Sequence, residues 1–77
     1  MARYFIHVLD GTLLRDEEGE ELQGLAAART AALRTLGETL RSREGRFWED
    51  GALRVFVEDD DGATVVNIEA RDLLPTA

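Results

Sequence analysis

Residues 3–9, Arg-Tyr-Phe-Ile-His-Val-Leu, are a dense run of aromatic and β-branched side chains ended by Asp10-Gly11. That pattern predicts a strand followed by a turn. Residues 12–15 supply a shorter second strand, so the chain opens with a hairpin. An acidic loop, Asp16-Glu17-Glu18-Gly19-Glu20-Glu21, then leads through Leu22 and Gln23 to Gly24, a permitted helix N-cap. Leu25, Ala28, Ala32, Leu33, Leu36 and Leu40 recur at three- and four-residue intervals, the signature of an amphipathic helix. Gly37 costs that helix up to ~1 kcal/mol relative to alanine, and predicts a place where the helix lies close on the sheet. Gly45 is the expected stop, after Arg41 and Arg43 at the negative end of the helix dipole. Residues 45–51 read as a loop carrying Phe47 and Trp48. Residues 53–58 and 64–69 are a third and fourth strand around the turn Asp59-Asp60-Asp61-Gly62. Leu73, Leu74 and Pro75 form a tail.

The expected fold is therefore α+β: one β-β-α-β-β domain over residues 1–77, a four-stranded antiparallel sheet with one helix on one face. Strand order 2-1-3-4 keeps the long apolar first strand central, and order 2-1-4-3 is the alternative. Alternation assigns the two faces. Tyr4, Ile6, Val8, Leu53, Val55, Val57, Val66 and Ile68 fall on one side and should meet the helix. Phe5, His7, Leu9, Arg54, Phe56, Glu58, Val65 and Asn67 fall on the other. Phe5, His7, Leu9, Phe56 and Val65 make that second face too apolar for ordinary solvation, and one helix cannot cover both sides. Such a patch marks an interaction surface, here a homodimer contact, unless Phe47, Trp48 and the Leu73-Leu74 tail fold over it.

Composition narrows the possibilities. With 77 residues the chain supports one domain of modest stability, and with no cysteine it has neither disulfides nor thiolate ligands to staple it. A formal charge of -7 repels phosphate backbones, so direct nucleic-acid binding is not expected, while a basic protein partner is compatible. No apolar run approaches the ~20 residues a membrane span needs, and the first strand is too short for a signal peptide, so a cytoplasmic protein is expected.

The candidate chemistry is thin. His7 is the only histidine, set mid-strand, and reads as a structural imidazole bonded to a backbone group or carboxylate; the alternative is a proton carrier or ligand shared across a dimer axis. Asp59, Asp60, Asp61 and Asn67 offer oxygens to a hard cation. Taking Gly62 as the EF-hand glycine, however, puts Val57 first and Ile68 last, so the calcium pattern fails. Ser42 is the only serine, and no G-x-S-x-G, P-loop or dinucleotide fingerprint is present. Neither an enzyme nor a bound cofactor or metal is expected.

The opening Arg3-Tyr4-Phe5-Ile6-His7-Val8, then Asp10-Gly11, the acidic loop to Leu22, and the Ala26-Ala27-Ala28-Arg29 and Ala31-Ala32-Leu33 helix resemble a bacterial family of short uncharacterised proteins. That family is known mainly from alphaproteobacteria and opens on an Arg-Tyr-Phe-Phe-His-Val type strand followed by Asp-Gly. The resemblance extends to Leu53-Arg54-Val55 and Asp61-Gly62, and departs from the family's acidic helix cap at Gly24. It implies the fold and source, and no activity, because the family is a domain of unknown function. A looser similarity to HicB-like antitoxin domains implies an acidic regulator that masks a basic partner.

Overall fold

A computed structural model describes residues 1–74, with strands β1 (Ala2–Leu9), β2 (Leu13–Leu14), β3 (Glu20–Leu22), β4 (Ala52–Glu58) and β5 (Thr64–Arg71). Helices α1 (Leu25–Ser42) and α2 (Glu44–Asp50) lie between β3 and β4. Every strand pair is antiparallel and the sheet runs β2-β1-β4-β5, the arrangement that keeps the first strand central. Among the described residues the fold is thus α+β, with five strands and two helices instead of four and one. Pro75 lies outside the described residues.

Both additions have a physical reason. Leu22, Glu21 and Glu20 pair with Ala2, Arg3 and Tyr4, so the end of the acidic loop is a strand on the same edge of β1 as β2. Backbone pairing at an exposed edge does not require apolar side chains, so charge hid this strand from a reading by hydrophobic alternation. The second helix corrects the reading of residues 45–51 as a loop. α1 ends at Ser42, Arg43 serves both as its C-cap and as the N-cap of α2, and Gly45 sits inside α2. The left-handed residue that closes this helix is Gly51 (φ 72°), whose N–H donates to the Phe47 carbonyl at 2.7 Å.

Tyr4, Leu53, Val55, Val57 and Val66 from the sheet and Ala28, Ala32 and Leu36 from α1 form the buried core. Ile6, Val8, Leu40, Phe47 and Ile68 pack around it half-buried. α1 lies over β4 and β5 more than over β1. Ala28 and Ala32 make the contact, and Leu33 lies to one side of it, 65% exposed beside Val65, Val66 and Ile68 of β5. Gly37 has no part in that approach. It is exposed, and a Cβ there would meet nothing.

β4 and β5 keep one register from Ala52↔Arg71 to Val57↔Val66, then shift so that Glu58 faces Thr64. Val65 is the extra residue of a β-bulge. The bulge turns Val65 away from the face that simple alternation gives it: Val65 packs against the core and lines a groove with Arg29, Leu33, Val66 and Ile68.

Candidate functional site

β2 and β3 leave a gap beside the middle of β1, and residues 15–19 cross it. The Asp16 carboxylate fills the gap. One oxygen accepts the Ile6 N–H at 3.1 Å, and the other accepts the N–H groups of Gly19 at 3.0 Å and Glu18 at 3.2 Å. Burial pushes the Asp16 carboxyl up, but those donors from Gly19, Ile6 and Glu18 hold it below its ordinary value of 3.8. Gly19 has φ +73° and lies against Phe5, where a Cβ would come within 2.8 Å of the ring. The loop therefore needs glycine there on two counts.

His7 is 1% exposed. The Asp16 N–H donates to its Nδ1 at 3.0 Å, and its Nε2 lies 2.8 Å from Glu58 Oε1. A backbone N–H can only donate, so Nδ1 is the acceptor, and the ring carries its proton on Nε2, facing the carboxylate. Arg15 reaches the same Glu58 oxygen at 3.3 Å. The ring also tilts against Phe56, its cross-strand neighbour, with centroids 5.0 Å apart. One imidazole thus joins β1, β4 and the acidic loop.

The structure brings four of the five candidate contact residues together and separates the fifth. Phe5, His7, Leu9 and Phe56 share the helix-free side of the sheet, with Phe5 opposite Glu58, His7 opposite Phe56 and Leu9 opposite Arg54. Residues 15–19 cover His7 and part of Phe5, so the apolar strip is narrower than alternation predicts. Val65 lies on the helix side, for the reason given above. The expected covering groups are elsewhere: Phe47 packs toward Leu40 and Leu53, while Trp48, Leu73 and Leu74 are 68%, 85% and 86% exposed.

The acidic groups gather at one end of the molecule. Asp16, Glu17, Glu18, Glu20, Glu21, Glu58, Asp59, Asp60 and Asp61 flank Arg3 and Arg15 there. Nine carboxylates against two arginines make this end carry the whole formal charge of -7, and the rest of the chain is balanced. Asp59 organises the β4–β5 turn: its carboxylate accepts the N–H groups of Asp61 at 2.9 Å and Ala63 at 3.0 Å. Among the described residues no three His, Asp or Glu side chains are grouped to hold a metal ion, and no helix is long and apolar enough to cross a membrane.

A family model described as "Domain of unknown function (DUF6894)" matches residues 3–71. The chain belongs to that family. The DUF6894 match spans the hairpin, both helices and β4–β5, and so includes His7, Asp16 and Glu58. No curated protein and no solved structure matches the chain.

Proposed function

We propose that this DUF6894 chain is a non-enzymatic protein-interaction module that self-associates through the uncovered part of its sheet. The observation that carries the reading is that both helices pack on one side, while Leu9, Phe56 and part of Phe5 stay half-exposed on the other. His7 is committed to two hydrogen bonds inside the fold, which removes it from any exposed chemistry. Self-association also adds buried area to a chain whose own core is small. Light scattering across a concentration series tests it: a dimer of 8.6 kDa chains is expected, and a monomer up to the highest concentration overturns it.

Segregation of the entire net charge at one end favours a second reading, an acidic regulator that masks a basic partner, as in the antitoxin comparison. A bacterial source and a cytoplasmic location belong to the same proposal. Binding to a basic protein that weakens steeply with salt supports it, and salt-independent binding or none counts against it.

A further inference from the structure

The two edges of the sheet are treated differently. The edge of β1 is closed along its length: β2 pairs with Val8 and Leu9, β3 pairs with Ala2, Arg3 and Tyr4, and the Asp16 carboxylate takes the Ile6 N–H between them. The outer edge of β5 has no neighbour among the described residues. Asp72 donates its N–H to Gly51 O at 2.8 Å, and these two residues continue the Ala52↔Arg71 register. By the alternation of an antiparallel ladder, Ala70, Ile68 and Val66 therefore also face β4. Asn67, Glu69 and Arg71 turn their N–H and C=O groups outward. The strand is eight residues long and contains no proline, and its two charged residues, Glu69 and Arg71, neutralise each other in an ion pair at 2.9 Å. Its bulge lies at Val65, outside the 67–71 stretch.

From this we propose that two copies of the chain join edge to edge, β5 against β5, antiparallel, into one continuous sheet. The inference rests on the self-association reading but moves the contact: the copies meet at the β5 edge, and the open face around Leu9 and Phe56 lies outside the seam. Two observations select a second copy running antiparallel. First, α1 leans over β4 and β5, so the exposed Leu33 continues the groove of Val65, Val66 and Ile68 out to the strand edge. A two-fold axis beside β5 brings the helices of both copies to the same side, with each Leu33 facing the seam. Second, β5 begins beside the acidic turn and ends at Arg71. Antiparallel pairing therefore sends the two charged ends apart, by roughly the 25 Å length of the strand, well beyond a Debye length of about 8 Å. Parallel pairing would superpose them. An axis at Ile68 sets Asn67 opposite Glu69 of the second copy and Val66 opposite its Ala70, and keeps the two Glu69 side chains apart.

The test combines mass with amide exchange on the full chain. In the unmodified protein the Asn67, Glu69 and Arg71 amides should exchange freely when dilute and slow by about tenfold or more as the dimer forms. Leu33→Glu and Asn67→Pro should shift the mass to the monomer, and Phe56→Glu should leave it dimeric. The outward N–H of Asn67 makes no bond within its own sheet, so the proline there spares the intrachain ladder. Should that variant nonetheless unfold, the exchange measurement on the unmodified chain still decides. A dimer whose three amides stay unprotected, or one lost in Phe56→Glu and kept in Leu33→Glu, places the contact on the face and overturns edge pairing while leaving self-association intact. A monomer at all concentrations overturns both.

Discussion

Replacing Asp16 with alanine tests whether one carboxylate holds the acidic loop on the sheet. The Ile6 N–H lies in the gap between β2 and β3, half-buried, and losing its charged acceptor costs about 1.5–3 kcal/mol. The Glu18 and Gly19 N–H groups lie in a solvated loop where water replaces most of what is lost, adding about 0.5 kcal/mol each. The sum is about 2.5–4 kcal/mol, a large share of the roughly 4–11 kcal/mol expected of a chain this length. Thermal unfolding should fall by roughly 10–25 °C, and urea unfolding gives the free energy directly. Acid provides an independent check. Because the folded-state carboxyl lies below its ordinary 3.8, its stabilisation is present in full above that value and is lost as the pH falls through the folded value. The gap between wild type and Asp16→Ala should therefore be widest near about pH 7 and narrow below about pH 3.8. A loss under about 0.5 kcal/mol, or one that stays the same from about pH 7 to about pH 3, refutes the role assigned to this residue.

His7 should give nitrogen NMR shifts of an Nε2–H tautomer at neutral pH, and a proton found on Nδ1 would contradict its hydrogen bonds to Asp16 and Glu58. Gly19→Ala should cost about 2–4 kcal/mol in urea unfolding, since it combines left-handed strain with a clash on Phe5. Gly62→Ala has similar strain (φ +81°) and open space around it, so about 1–2 kcal/mol is expected; equal losses at the two sites would remove the Phe5 contact from the account. Gly37→Ala should stabilise the protein by up to about 1 kcal/mol, because the position is exposed and a methyl meets nothing, and a loss there would restore the close-packing reading.

Where side chains alternate cleanly, the sequence was a good guide. Leu53, Val55 and Val57 face the core as period two requires, and the central place of the first strand follows from its aromatic and β-branched density. What escaped depends on the backbone. β3 is a strand because Ala2–Tyr4 offers it a partner, although two of its three residues are glutamates. α2 runs through Gly45 because the chain breaks at Arg43, and nothing in the composition of residues 44–50 marks that point. Alternation misplaces Val65 because a single extra residue shifts the period, and a bulge has no side-chain signature. His7 was identified as a residue of interest, but its partners, Asp16 and Glu58, are 9 and 51 positions away. Only the fold brings those three together, because in the sequence Asp16 is one of several carboxylates in the acidic loop.

The closed edge of β1 also sets how large an assembly can become. A strand stack open on one side is satisfied by a single neighbour and terminates; one open on both sides has no natural end. The Asp16 loop, with the short strands on either side of it, keeps this chain in the first class. If two copies pair along β5 as proposed, loosening that loop would do more than lower stability, because it would expose a second growing edge and turn a finite pair into a fibre-forming unit.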